Sequence, residues 1–146
     1  MIEAAVMCLA MNAYWEARNQ DINGMIAVSQ VVMNRVESEF YPDDPCSVVF
    51  QGPEKPSWKD PSVYYPVRHK CQFSWYCDGK SDEVPTGDEE IWQDARMVAL
   101  GVYLGKVDDN TGGALWYHAD YVRPAWSEVK EVRATIGDHI FYGWEK

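Results

Sequence analysis

The sequence is short of basic residues: 13 Lys and Arg stand against 23 Asp and Glu, for a formal net charge of −10. Proteins that bind nucleic acid usually carry a basic patch that complements the phosphate backbone. The acidic balance therefore predicts that nucleic acid is not a partner. It also provides no electrostatic attraction to anionic membranes or other anionic polymers, and it mainly favours solubility.

Long apolar runs are also missing, because no stretch reaches the roughly 18 residues that a membrane-spanning helix needs. The first residues, MIEAAVMCLAMNAYW, lack the basic region of a secretory signal peptide and include Glu3. We therefore expect no stable membrane insertion and no signal peptide. A substrate outside the cytoplasm would then be reached with the help of another protein, or after removal of a leader.

A cysteine pattern of the metal-binding type is absent, because Cys8, Cys46, Cys71 and Cys77 form no CxxC pair and no zinc-type spacing. Cys8 lies within a helical pattern and is predicted to be a small core residue. The other three fall in the loop-rich middle of the chain, where one disulfide is favoured outside a reducing cytoplasm. The sequence does not decide which two would pair.

Histidine is scarce. His69, His118 and His139 are too scattered for the HExxH type of zinc site. We therefore predict no metal site and no cofactor.

Aromatic residues, by contrast, are abundant, with seven Trp and nine Tyr among 146 residues. A chain of this length, with 47% hydrophobic residues, can bury one core as a single domain, residues 1–146. Such a core needs only part of these rings. The remaining rings either line a groove, where stacking on sugars is a common use, or anchor a surface or interface.

A first helix is predicted over residues 2–18, and it contains a glutamate on its apolar face. The residues of this face recur at helical spacing: Ile2, Ala5, Val6, Leu9 and Ala13. Glu16 continues the same stripe at the last turn. Burial raises the pKa of a carboxyl group, as in general acids that work near neutral pH. Glu16 is therefore either such an acid or a charge paired with Arg18, Arg35 or a backbone amide.

Two further helices are predicted. One covers residues 23–38, with Asp21 or Asn23 as its cap. The other lies in TGDEEIWQDARMVALGVYLGK, where Thr86 and Glu89 resemble a capping box and Gly105 is a natural stop.

The middle and the end of the chain lack the helical periodicity of these three segments. Seven of the eight prolines fall between Pro42 and Pro85, in a segment without helical period that holds the short strand-like runs SVVF and CQFSWY. A segment of this kind is usually a binding loop or a small sheet subdomain. The tail predicts a short strand, a turn or short helix around Pro124, and a closing strand over residues 136–144.

Two aromatic motifs are candidate binding segments: QFSWYCDG, from Gln72, and LWYHADYVRPAW, which contains His118. Each motif is also compatible with rings that pack into a core. A second carboxylate, as glycosidases commonly use, could come from Asp78 or Asp120. Both Asp residues are equally explained as turn formers. One strong carboxylate without a persuasive partner favours chemistry in which the substrate supplies its own nucleophile.

Five stretches in order resemble the cell wall hydrolases of the spore-cortex-lytic (SleB-like) type, which include bacterial enzymes and phage lysins. They are NAYWEARNQ, GMIAVSQVVMNRV, CQFSWYCDG, ALWYHADYVRPAW and IGDHIFYGW. The resemblance implies a lysozyme-like α+β fold, with a mainly helical core, a small β-sheet and a long Pro-rich loop region lining the cleft. It also implies cleavage of peptidoglycan glycan strands between N-acetylmuramic acid and N-acetylglucosamine.

The resemblance carries over individual residues as well. The catalytic glutamate maps onto Glu16, acting as acid and then as base in a lytic transglycosylase mechanism. Matching positions expected to contact the substrate are Gln72, Ser74, Trp75, Tyr117, His118 and Tyr121. Gln30, Asn34 and Arg35 are expected to brace the site.

The Pro-rich insert over residues 51–70 is longer than expected for the family and leaves substrate details open. We expect a monomeric phage endolysin, made in the host cytoplasm, that acts on the bacterial wall after release. Three alternatives stay open: a hydrolysing muramidase that uses Asp78 or Asp120, an N-acetylmuramoyl-L-alanine amidase, and a non-catalytic glycan-binding module.

Overall fold

The computed structural model describes residues 2–144. Its helices are α1 (Ile2–Ala17), α2 (Ile22–Glu37), α3 (Pro45–Val49) and α4 (Glu89–Tyr103), with 3-10 helices at Ser74–Cys77 and Ala125–Val129. Its strands are β1 (Glu54–Pro56), β2 (Tyr64–Pro66), β3 (Trp116–Ala119), β4 (Glu131–Ile136) and β5 (His139–Gly143).

Helix α1 is the centre of the fold and packs against α2, α3 and α4. Ala10, Ala13 and Ala17 are completely buried on α1, as are Ala95 and Ala99 on α4. Small side chains let the helix axes approach closely. Apolar residues cover more than one face of α1, as expected for a helix surrounded by others. Of the predicted stripe, Ala5, Leu9 and Ala13 are buried and Val6 is half-buried, whereas Ile2 at the start of the helix is exposed.

Capping interactions determine where α2 begins and where α4 ends. Asp21 caps α2, and its side chain accepts a hydrogen bond from the Gly24 amide at 3.2 Å. Gly105, at φ 70°, ends α4: its amide bonds the Val102 carbonyl, and the next amide bonds the Gly101 carbonyl. This is a Schellman motif. Asp21 is thus the cap among the two predicted candidates, Asp21 and Asn23, and the predicted stop at Gly105 is confirmed.

The capping box predicted at Thr86 is wrong. Asp88 occupies the cap of α4 and makes no side-chain cap bond, while the Glu89 carboxylate accepts from the Gly87 amide.

The main sheet has three antiparallel strands in the order β3-β5-β4, so β3 forms one edge. In the register of β3 and β5, Trp116 lies opposite Tyr142, Tyr117 opposite Phe141 and His118 opposite Ile140. Side chains alternate between the two faces of a strand. Tyr117 and Phe141 face the helical core, whereas Trp116 and His118 belong to the opposite face.

The Pro-rich segment is more ordered than its sequence indicates. The run SVVF, predicted as a strand, mostly belongs to α3, because Asp44 caps this helix and Pro45 occupies its first turn. The run CQFSWY, also predicted to be strand-like, contains a 3-10 helix instead. Strands β1 and β2 pair as a separate exposed hairpin.

Two disulfides bind the middle of the chain, Cys8–Cys46 and Cys71–Cys77. Cys8 is a buried core residue, as predicted, but it also pairs with Cys46, because its turn of α1 faces α3. Of the three cysteines among which one disulfide was predicted, Cys71 and Cys77 pair. Cys71–Cys77 closes a short loop around the 3-10 helix.

The predicted α+β class, with a mainly helical core, a small sheet and a Pro-rich loop region, is confirmed. Within residues 2–144, no helix is long and apolar enough to cross a membrane.

Candidate active site

A pocket of about 170 Å³ lies beside β3, where the end of α1 meets α2 and the loop after the Pro-rich hairpin. It is lined by Glu16, Arg35, Gln72, Phe73, Trp116, Tyr117 and Trp126. Sites for drug-sized ligands usually measure about 300–1,000 Å³. A pocket of this smaller volume holds only part of a polymer.

Glu16 is partly buried in the last turn of α1, with its carboxylate at the pocket. Burial raises the pKa of Glu16 above its ordinary value, while the Tyr117 hydrogen bond and the charge of Arg35 act in the opposite direction. Because burial dominates, the carboxyl group holds its proton more tightly than an exposed glutamate does.

The phenol of Tyr117 donates a hydrogen bond to Oε1 of Glu16. Burial, reinforced by the charge of Glu16, raises the pKa of Tyr117 well above its ordinary value, so this group remains a donor. The ring is tilted against Phe141 at 5.3 Å and against Phe73 at 6.4 Å. These contacts fix the phenol, which in turn fixes one oxygen of Glu16.

Arg35 is a buried cation at the base of the pocket, with 4% of its surface exposed. Its Nε donates to the Leu115 carbonyl at 2.8 Å, and its Nη1 donates to the Gln72 side-chain oxygen at 3.4 Å. The guanidinium also lies 5.3 Å from the Phe73 ring centroid. Arg35 thus joins α2 to both loops that build the pocket.

Gln72 and Phe73 reach the pocket from the loop that Cys71–Cys77 closes. The Gln72 amide N–H bonds the Gln51 carbonyl at 2.9 Å, which fixes the start of this loop. Because the side-chain oxygen of Gln72 accepts from Arg35, its NH₂ group is the half that can donate to a ligand. The Pro-rich region therefore contributes to the pocket through these two residues, and the β1–β2 hairpin does not line it.

A second layer of polar contacts supports the strand that carries Tyr117. Asn34 donates to the Ala114 carbonyl and to Asp109, both at 3.0 Å, and Gln30 donates to the Val107 carbonyl at 3.0 Å. Burial raises the pKa of Asp109, but hydrogen bonds from Thr111, Asn34 and a backbone amide outweigh it and lower the pKa. Gln30 and Asn34 brace the loop before β3, while Arg35 lines the pocket directly.

Of the predicted site residues, the structure brings Glu16, Gln72 and Tyr117 together. Ser74 is exposed at the start of its 3-10 helix, and Tyr121 is 84% exposed in the turn after β3. Neither lines the pocket. Their contacts with a substrate stay predictions.

Trp75 and His118 lie beneath the site. Trp75 is 5% exposed, and its indole donates to Asn12 at 2.9 Å. His118 is 9% exposed, stacks on Tyr142 and shares a 2.7 Å hydrogen bond with its hydroxyl. Both positions suit residues that support the pocket walls.

The candidate second carboxylates lie away from the pocket. Asp78 accepts a 2.9 Å hydrogen bond from the Lys80 amide, the pattern of an Asp-mediated turn. Asp120 is exposed, and neither residue lines the pocket. Among residues 2–144, Glu16 is the one carboxylate in the pocket lining.

In the part of the chain that the structure describes, no group of three or more His, Cys, Asp or Glu is arranged to hold a metal ion.

Trp116, Trp126 and Phe73 line the pocket, although none of them was among the predicted site residues. Trp116 and Trp126 belong to the motif LWYHADYVRPAW, from which the prediction selected the His and Tyr residues. The alternation of faces along β3 could have separated Tyr117 from His118, but it does not predict that Trp116 and Trp126 line the pocket.

One carboxyl group with a raised pKa, in a pocket of aromatic, amide and cationic side chains, is typical of enzymes that cleave sugar chains. Comparison with known proteins shows which family the chain belongs to. The chain belongs to the Cell Wall Hydrolase family, which residues 19–142 match. Glu16 lies three residues before the matched segment, so its place in the pocket rests on the structure.

Two curated relatives are spore cortex-lytic enzymes. The enzyme of Oceanobacillus iheyensis is 25% identical over 139 residues, which are 93% of this chain and 40% of the relative. The enzyme of Halalkalibacterium halodurans is 28% identical over 137 residues, which are 93% of this chain and 34% of the relative. The chain therefore spans less than half the length of these relatives.

Two solved structures share the fold. The catalytic domain of Bacillus cereus SleB matches with a TM-score of 0.70 and 24% identity, over 97% of this chain and 91% of that one. The catalytic domain of the germination-specific lytic transglycosylase SleB from Bacillus anthracis matches with a TM-score of 0.69 and 25% identity, over 95% and 93%. These matches show that the chain has the fold of a SleB catalytic domain.

Proposed function

We propose that this protein is a peptidoglycan lytic transglycosylase that cleaves the bond between N-acetylmuramic acid and N-acetylglucosamine. The observation that carries the proposal is the solitary carboxyl group of Glu16, whose pKa burial raises, in a pocket that can hold part of a sugar chain. The family match supports a wall substrate, and the name of the Bacillus anthracis neighbour supports this reaction type.

In the first step, protonated Glu16 donates its proton to the glycosidic oxygen. The bond between that oxygen and C1 of the muramoyl sugar breaks, and the N-acetylglucosamine fragment leaves with a hydroxyl group. Tyr117 holds Oε1 through its hydrogen bond, which leaves Oε2 to carry and deliver the proton.

In the second step, Glu16 is an anion and acts as the base. It removes the proton from the 6-hydroxyl of the muramoyl sugar, and the oxygen of that hydroxyl attacks C1 to close a 1,6-anhydro ring. Glu16 is protonated again at the end, and no water molecule is consumed. This sequence requires one carboxylate only, in agreement with the position of Glu16 alone in the described pocket lining.

The pocket walls would bind and orient the sugar. Trp116 and Trp126 offer ring faces for stacking, and the NH₂ group of Gln72 can donate to an N-acetyl carbonyl. Arg35 contributes positive charge that favours the anionic form of Glu16 between the two steps.

Product analysis tests this reaction. Purified peptidoglycan is digested and its fragments are identified by mass spectrometry. We expect anhydro-muramoyl ends. Reducing muramic acid ends would instead identify a hydrolysing muramidase with a second carboxylate, and cut stem peptides would identify an amidase.

We further propose that the protein acts on the bacterial wall outside the cytoplasm. Two disulfides within a chain of 146 residues support this, because disulfides persist in oxidising compartments. Its nature as a monomeric phage endolysin, made in the host cytoplasm and released to the wall, stays a prediction.

A further inference from the structure

Three aromatic rings form a continuous row that starts in the pocket and runs out over the surface. Trp116 lines the pocket, Trp144 packs edge-on against Trp116 with centroids 4.7 Å apart, and Phe40 packs on Trp144 at 5.8 Å. We call Trp116, Trp144 and Phe40 the aromatic ledge. Its rings come from β3, the residue that follows β5 and the loop after α2, so three separate segments converge to build it.

A lysine stiffens the inner part of the ledge. The ammonium of Lys130 lies 4.0 Å from the Trp116 ring centroid and 4.1 Å from that of Trp144. Cation–π contacts at these distances are attractive. Because the two indoles are nearly perpendicular, at 88°, one lysine covers a face of each and fixes the angle between them.

The outer part of the ledge is open. Phe40 is 67% exposed and Trp144 is 48% exposed, although Lys130 already covers one face of Trp144. Large aromatic rings that are exposed next to one another usually mark a binding surface. Their continuity with Trp116 places this surface at the mouth of the candidate active site.

We propose that the aromatic ledge binds the sugar rings of the glycan strand that lie outside the catalytic pocket. This inference rests on the proposed function and extends it to the length of substrate that the protein grips. A pocket of about 170 Å³ holds only part of the polymer, so binding of a strand needs further contacts. Ring stacking on uncharged sugar faces provides them without electrostatic attraction, which a chain of net charge −10 cannot obtain from an anionic wall.

The test measures binding separately from cleavage. In a Glu16→Gln background, Phe40→Ala and Trp144→Ala are compared with the parent for binding to long purified glycan strands and to a disaccharide of the same sugars. Trp58→Ala is the matched control, because Trp58 is 84% exposed and lies between β1 and β2, outside the pocket lining. Thermal unfolding verifies that each variant is folded.

We expect each ledge variant to bind long strands about tenfold more weakly, while disaccharide binding and the Trp58→Ala control stay unchanged. Trp144→Phe keeps a ring and should recover most of the affinity. Unchanged strand binding in Phe40→Ala and Trp144→Ala would overturn the proposal that the aromatic ledge binds glycan, and it would leave the proposed function intact. A Glu16→Gln parent that binds neither strands nor disaccharide would count against both.

Discussion

At the scale of single residues, opposing effects set the pKa of Glu16. Burial raises the pKa of this carboxyl group, and the donor Tyr117 and the cation Arg35 lower it. In the proposed reaction this group first gives a proton and then takes one. Because burial is the largest effect, the pKa stays raised, which favours the protonated form that the first step needs.

Glu16→Gln should abolish cleavage of peptidoglycan and increase stability at neutral pH. A raised folded-state pKa means that the folded protein binds the proton more tightly than the unfolded chain, so the ionised carboxyl costs stability above that pKa. The neutral amide removes this cost and can still accept from Tyr117. The free energy of unfolding should therefore be higher in the variant near pH 7, and the difference should shrink toward about pH 4.

The checks are turnover of labelled peptidoglycan and denaturant unfolding at both pH values. Glu3→Gln is the matched control, since Glu3 is an exposed carboxylate on the same helix. Cleavage by the Gln variant at the wild-type rate would remove Glu16 from the mechanism.

Tyr117→Phe should shift the pH profile of the reaction. The hydrogen bond from Tyr117 lowers the pKa of Glu16, so its loss raises that pKa and moves the alkaline limb of the kcat/KM profile to higher pH. The maximal rate should fall about tenfold, because Oε1 loses the donor that orients it. Tyr121→Phe, in the same motif but exposed, should leave the profile unchanged. A profile that moves to lower pH would contradict this assignment.

At the scale of secondary-structure elements, the two disulfides constrain different parts of the protein. Cys8–Cys46 joins α1 to α3 across 38 residues, and Cys71–Cys77 closes a loop of six that presents Gln72 and Phe73 to the pocket. The chain-entropy relation gives about 4 kcal/mol of stabilisation for the longer loop and about 2 kcal/mol for the shorter one.

Paired Ser substitutions should separate stability from activity. Removing Cys8–Cys46 should cause the larger decrease in Tm and leave the kcat of the folded protein nearly unchanged. Removing Cys71–Cys77 should lower Tm less and reduce activity more, because the loop that carries Gln72 is freed. The measurements are thermal unfolding and turnover for each double variant. Equal activity of the two double variants would contradict the view that the Cys71–Cys77 loop positions Gln72 for the reaction.

Sequence periodicity was sufficient for α1, α2 and α4, because each is long and amphipathic or capped. It failed at α3, where Val48 and Val49 resemble a strand and the decisive signal was Asp44 followed by Pro45. It also failed at the CQFSWY run, whose 3-10 turn lies within the loop that Cys71–Cys77 closes. Strand β4 was missed, since its alternation is interrupted by the bulge between Val132 and Ala134.

The same limits apply to the site. Glu16 was accessible from helical spacing, and Gln72 and Tyr117 from the resemblance. Trp116 and Trp126 depend on how β3 pairs with β5 and where the following 3-10 helix returns, which no local pattern encodes. Arg35 was expected only as a brace, because its contacts with Leu115 and Gln72 join segments distant in the chain.

At the scale of the whole molecule, the net charge of −10 affects how the protein would approach the proposed wall substrate. A chain of charge −10 is repelled by an anionic wall, and the repulsion is strongest where screening is weak. Raising ionic strength from about 0.01 M to about 0.15 M shortens the Debye length from about 30 Å to about 8 Å. Cleavage of intact walls should therefore become faster across this range.

The measurement is the rate of turbidity loss of wall suspensions, with glycan strands whose muramoyl carboxyl groups are amidated, and which are therefore uncharged, as the control substrate. The rate on those strands should be nearly independent of salt. A rate on intact walls that falls with salt would indicate that a local cationic surface, rather than the net charge, controls the encounter.

The position of Glu16 at the end of the central helix has one further consequence. Helix α1 has 16 residues and no basic residue in its last turn. The aligned peptide dipoles of a helix place about half a negative charge at its carboxyl end, which disfavours an anion there by about 0.3–1 kcal/mol. In the proposed reaction, the carboxyl end of α1 therefore favours the return of a proton to Glu16 after its proton has passed to the leaving sugar. The backbone of the central helix would in this way help to restore the protonated acid before the next cleavage.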